Sequence, residues 1–164
     1  FCVDEFFCNN SHQLFSYIHL GDVLEHIDSP VEYLEQVIKY LNPNNGRLIV
    51  EGPLEQNANL SFLFRKIISS VTAFIFPKRI SNHIPYHITF TNSVNQLKFF
   101  EKCGLKTIHY EIFETPWPYP DLPYDNIISM LKYCVARISI KLSKVIPSAA
   151  FGNRFLYVGQ LPSK

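Results

Sequence analysis

Asp22, Glu25 and His26 crowd into one short polar turn directly after an apolar run. Two carboxylates and an imidazole can move a proton near neutral pH or hold a hydroxyl by hydrogen bonds. With a later histidine they also offer mixed oxygen and nitrogen ligands to a divalent cation. Glu51 and Glu55 follow a second apolar run in the same way, which makes them candidates for acceptor binding. His83 and His87 are spaced H-x-x-x-H, a metal pair only on a regular helix, and Pro85 between them argues against one. They read as loop histidines near a substrate entrance, with Tyr86 beside His87 as an acceptor contact. Trp117 stands in Thr115-Pro-Trp-Pro-Tyr-Pro120, a stiff extended loop. It offers a stacking surface for a sugar or aromatic acceptor, or an apolar plug for a sheet edge. His12, His19 and His109 have no partner in the sequence and read as structural.

The elements that must position these groups are well marked. Tyr17–Leu20 reads as a buried strand, and Ser29-Pro-Val-Glu32 reads as a capping box with proline at the first helical position. Val31, Leu34, Ile38 and Leu41 recur at helical spacing, so a helix is expected over Pro30–Leu41, stopped by Asn42-Pro43. Arg47–Glu51 is the next strand. A later helix is expected from about Thr91-Asn92 to Gly104, where a left-handed glycine lets Leu105 pack back on the last turn. Thr107–Phe113 alternates as a strand, with Ile108, Tyr110 and Ile112 on one face. Phe155–Gly159 is a short apolar strand. Strands alternating with helices predict an α/β fold: a Rossmann-like, mostly parallel sheet with helices on both faces. In such sheets ligands gather at the C-terminal ends of the strands, where the acidic turns fall.

The chain has 164 residues, enough to bury a core. Hydrophobic residues are 47% and charged residues 18%, which excludes a disordered chain. The net charge of +1 gives no general electrostatic case for nucleic acid. Cys2, Cys8, Cys103 and Cys134 lack C-x-x-C spacing and read as free, mostly buried thiols of a reducing cytosol.

Two amphipathic segments lie outside the sheet plan. Leu60–Phe76 carries a broad apolar face, as does Ile128–Ile146 with Ile128, Leu131, Val135, Ile138, Leu142 and Val145. Lys132, Arg137, Lys141 and Lys144 make the exposed side of the second basic. Neither is a membrane span; the first is too short and holds Arg65 and Lys66. The expected role is a pair of helices closing as a lid over the substrate side. The alternative is a surface touching anionic lipid or a lipid-linked substrate.

The stretch "FSYIHLGDVLEHIDSP" followed by "LNPNNGRLIVEGP" resembles the second half of class I S-adenosylmethionine-dependent methyltransferases. "YHITFTNSVNQLKFFEKCGLKTIHYEIF" and "FGNRFLYVGQ" are similar to later segments of the same family, so the resemblance runs from about Phe15 onward. Ser16 departs from it, since many relatives carry Asp after the Phe. The family's Gly-rich loop has no counterpart; the first glycine is Gly21. The resemblance therefore implies that residues 1–164 form the C-terminal part of a single methyltransferase domain. The first strands and Gly-rich loop would be missing, and helical insertions would fall at about 57–76 and 124–146.

The resemblance implies S-adenosylmethionine as cofactor, with Leu20, Gly21 and Asp22 beside its methionine side. Asp4, in "CVDEFF", would sit at the adenine position. Read from their own chemistry and position, Glu25, Glu51, Tyr86 and Trp117 are expected around a small-molecule or saccharide acceptor, with His26 and His87 in the catalytic role. Some relatives with E-x-x-E-H bind a divalent cation there, but many keep Leu-Glu-His without one, and no metal is expected. A partner chain and peripheral membrane contact stay open, in an otherwise cytoplasmic protein with no nucleic-acid partner. The competing readings are a catalytically silent methyltransferase-like module that binds a partner chain and a membrane-surface module.

Overall fold

The computed structural model describes residues 13–57, 87–115, 127–145 and 151–162, together with the helical positions Leu63, Lys66, Ile67 and Ser70. Asp4, Tyr86, Trp117, His12 and His83 lie outside the described residues, as does most of the first helical insertion. The described elements run β1 (Tyr17–Gly21), a 3-10 turn (Leu24–His26), α1 (Pro30–Ile38), β2 (Arg47–Pro53), α2 (Ser93–Lys102), β3 (Lys106–Phe113), α3 (Ile127–Ser143) and β4 (Arg154–Gln160). The four strands form one sheet in the order β1-β2-β4-β3.

β1 and β2 pair in parallel, Leu20 opposite Val50 and Gly21 opposite Glu51. β4 runs antiparallel to both β2 and β3. Three strands thus share one direction and β4 opposes them from the middle. This puts the C-terminal ends of β1 and β2 side by side and gathers both acidic turns at one edge.

Alternation along the strands selects the core face. Leu20, Leu48, Val50, Phe155, Tyr157 and Ile112 are buried on it, with Leu34 and Val37 of α1 and Phe100 of α2 in the same cluster. Phe100 stacks on Tyr157 with ring centroids 3.8 Å apart. On the opposite pleat Tyr17 is 71% exposed. The expected pairing of Ile108 with Tyr110 and Ile112 fails because the ladder slips between Thr107 and His109. Ile108 is the extra residue of that bulge and stays 47% exposed.

Caps follow the sequence in part. Asn92 caps α2, its side-chain oxygen accepting from the Asn95 amide at 2.9 Å. Gly104 has φ of 78°, and the Leu105 amide returns to the Phe100 carbonyl, closing a left-handed C-terminus over the buried Leu105. Ser29 forms no side-chain cap on α1, so the expected capping box is not made; Pro30 alone marks that start.

α3 buries Ala136 and Ser139 rather than the predicted stripe. Ser139 donates to the buried Glu114 carboxylate at 2.9 Å and ties the helix to the end of β3. Met130, Leu131, Ile138 and Val145 are exposed instead. Cys134 is exposed as well, contrary to the expectation of buried thiols, while Cys103 is half-buried.

Candidate active site at the sheet edge

The site begins where β1 ends. Asp22 has φ of 52°, a left-handed bend that turns the chain out of the sheet and into the 3-10 turn. Its amide donates to the Glu51 carbonyl at 3.0 Å, and its carboxylate accepts from Arg154 Nη2 at 2.7 Å. Arg154 opens β4, so this contact reaches across β2. Nothing in the sequence pointed to Arg154.

The bend delivers Glu25 and His26. Glu25 is 7% exposed, and its carbonyl accepts from the amides of Ile88 and Thr89 at 2.8 and 3.1 Å. These two bonds dock the 87–91 segment on the turn. The Gln56 amide bonds to the Thr91 carbonyl at 3.1 Å, and the Ser93 amide to the buried Asn57 side chain at 2.9 Å. The β2 turn, the docked segment and the start of α2 are thereby fixed together.

His87 thus meets His26, their rings edge-to-face with centroids 4.8 Å apart. One ligand atom each from Glu25, His26 and His87 lies within 4.8 Å of the others. His87 Nδ1 lies 2.7 Å from Glu55 Oε1, and with a proton on that nitrogen it donates to the carboxylate. Glu55 Oε2 is buried and has no hydrogen-bond partner among the described residues. Burial pushes the Glu25 carboxyl above its ordinary value; Asp22 adds to the shift, while the residue's own backbone amide and the two imidazoles oppose it.

A cavity of about 140 Å³ lies beside this cluster, bounded by Glu25, Glu51, Thr89, Phe90, Phe99 and Phe155. That volume suits a small group of apolar character. Glu51 also pairs with the exposed His19 at 3.4 Å, and His109 with Glu111 at 3.3 Å. Both histidines are exposed, and each has a carboxylate neighbour that the sequence did not reveal.

The sequence-predicted residues therefore divide. Glu25 and Glu51 line the cavity, and His26 and His87 cluster with Glu25 beside it. Leu20, Gly21 and Asp22 form the neighbouring strand end, with Leu20's side chain turned into the core. Glu55 was expected near the acceptor but acts here on His87. That contact has no local signal, since it depends on docking a distant segment.

No family model matches the chain, and no curated protein matches its sequence. Among solved structures it is similar to the [4+2]-cyclase SpnF, with TM-score 0.52 and 11% identity over 93% of this chain and 52% of that one. A SAM-dependent methyltransferase from Archaeoglobus fulgidus gives TM-score 0.47 and 13% identity, over 94% of this chain and 63% of that one. A Haloferax volcanii complex of the Trm112 methyltransferase activator with a methyltransferase partner gives 0.48 and 14%, over 93% and 56%. The chain spans about half the length of SpnF. The likeness to SpnF shows the fold alone, a Rossmann-like α/β sheet with helices packed on it.

Proposed function

We propose that this chain carries the acceptor side of an S-adenosylmethionine-dependent methyltransferase acting on a small-molecule or saccharide acceptor. The observation that carries the reading is the convergence of Glu25, His26 and His87 at the C-terminal edge of β1. In open α/β sheets that edge is where ligands bind. Fold alone does not choose the chemistry, and SpnF is itself a cyclase.

The residues present fit one side of the cofactor. Gly21 is exposed at the end of β1, where the chain bends into a left-handed conformation at Asp22. Leu20 and Gly21 are proposed to line the methionine side. When bound, S-adenosylmethionine supplies an electrophilic methyl group for in-line displacement.

The chain's own groups then have distinct tasks. Phe90, Phe99 and Phe155 line the cavity and exclude water from the acceptor. Glu51 and Glu25 orient its polar groups. His26, and His87 held by Glu55, handle the proton of an acceptor hydroxyl.

One observation also favours surface association. Met130, Leu131, Ile138 and Val145 are exposed on or just after α3, beside the exposed Arg137, Lys141 and Lys144. Apolar and basic groups together suit the face of an anionic membrane. No helix among the described residues is long and apolar enough to cross one.

The test uses the complete product of the natural gene and methyl-labelled cofactor with a panel of small hydroxylated and saccharide acceptors. Label transfer is expected, reduced at least about 100-fold in His26→Ala with cofactor affinity within about threefold. Absence of cofactor binding, or full turnover in the variant, overturns the reading.

A further inference from the structure

We infer that the cavity at the sheet edge receives a cationic group, so that the acceptor is a hydroxylated alkylammonium such as an amino alcohol or an amino sugar. Given the acceptor role proposed above for this site, its walls state the acceptor's chemical class. Among the described residues that bound the cavity, the charged ones are Glu25 and Glu51, with no lysine or arginine. Phe90, Phe99 and Phe155 supply aromatic walls beside them.

Carboxylates and phenyl rings together favour one kind of guest. A neutral hydroxyl can donate to Glu25 or Glu51 but gains little from the rings. A hydrocarbon suits the rings but leaves the carboxylates stripped of water and without a partner. An alkylammonium satisfies both, its charge opposite the carboxylates and its methylene or methyl groups against the negative ring faces. Carboxylate and ring also lie close together. A methyl group at Gly52 would sit 3.7 Å from Glu25 Oε2 and 3.1 Å from Phe155 Cε1.

The protein's own strong cations are engaged elsewhere. Among the described residues neither Glu25 nor Glu51 pairs with a lysine or arginine, and Arg154 at the same sheet edge is held by Asp22 at 2.7 Å. The ion-pair partner of Glu51 is the exposed His19, and His26 Nε2 stands 3.9 Å from Glu25 Oε1, beyond hydrogen-bond distance. Glu25 is 7% exposed, so burial penalises its charged form, and a cation seated against it offsets that penalty. A volume of about 140 Å³ admits one small headgroup. The hydroxyl of the same molecule then falls to His26 and His87, which cluster with Glu25 beside the cavity.

The complete protein is titrated without cofactor, so the charge preference is read whether or not methyl transfer is found. The probes are choline and its uncharged isostere 3,3-dimethylbutan-1-ol, followed by the amide chemical shifts of Thr89, Phe90 and Phe99. Choline should move these amides with a dissociation constant below about 10 mM, and the isostere should bind at least about tenfold more weakly. Glu25→Gln should weaken choline by about tenfold or more and leave the isostere within about twofold. Phe90 is 54% exposed, so Phe90→Leu keeps the fold, and loss of its ring should weaken choline about fivefold. The exposed Glu111→Gln on β3 should stay within about twofold. Equal affinity for the two probes, an unchanged preference in both Glu25→Gln and Phe90→Leu, or choline binding weaker than about 10 mM overturns the cationic site. Methyl transfer to a neutral acceptor alongside any of these results would leave the methyl-transfer reading standing.

Discussion

The carboxylate of Glu55 lies 2.7 Å from Nδ1 of His87, 32 residues further along the chain. Both side chains are largely shielded from water, at 19% and 26% exposure. The contact therefore anchors the 87–91 segment as well as orienting the ring. A hydrogen bond to a charged group of this kind contributes about 1.5–3 kcal/mol.

Glu55→Ala should accordingly free that segment. The amides of Ile88 and Thr89, which donate to the Glu25 carbonyl, should exchange with solvent at least about tenfold faster. The β2–β4 ladder should keep its protection. Hydrogen exchange resolved by residue measures both, and equal protection of Ile88 and Thr89 in the variant would show that Glu55 does not hold the segment.

Asp22 combines a left-handed backbone with an ion pair, and two substitutions separate these effects. Asp22→Ala loses the Arg154 contact and keeps the strain, so a loss of about 1 kcal/mol is expected. Asp22→Gly loses the same contact but relieves the strain, and should stay within about 0.5 kcal/mol of the parent. The exposed side of the pair limits its own worth, since Asp22 is 52% exposed. Urea denaturation midpoints decide the order. Alanine at or above glycine would contradict a backbone-controlled position.

The two helix starts make a matched pair. Asn92→Ala should cost about 1 kcal/mol, because its side chain accepts from the Asn95 amide. Ser29→Ala should change stability by less than about 0.5 kcal/mol, since no side-chain cap is formed there. Chemical denaturation of the two variants side by side tests this. A larger loss at Ser29 would restore the capping box that the sequence pattern implied.

How much of this was legible in the sequence depended on the range of the interaction. Strand cores such as Leu48 and Val50, the start of α2 near Asn92 and the Gly104 terminus are set by residues close in sequence. Local pattern therefore found them, to within a residue or two at the ends. The bulge at Ile108 depends on the partner strand, and alternation alone placed that residue on the wrong face. The stripe on α3 was read from spacing, yet Ala136 and Ser139 are the buried residues because Glu114 supplies the contact. Glu25, His26 and His87 were recognised as chemistry-bearing side chains. That they meet, and that Asp22 is drawn away, follows from Glu55, Arg154 and the 87–91 segment, all remote in sequence.

The place of β4 bears on how the protein is made. This strand follows β3 in the chain but lies between β2 and β3 in the sheet, pairing with Leu48 and Val50 on one side and Tyr110 and Ile112 on the other. While a ribosome is still adding residues ahead of Arg154, β2 has a bare hydrogen-bonding edge and β3 has no ladder to join. Among the described strands, the ladders that join β2 to β3 form only once β4 is inserted between them. Such distant pairings close slowly. The nascent chain must shelter those two open edges from other chains until β4 emerges.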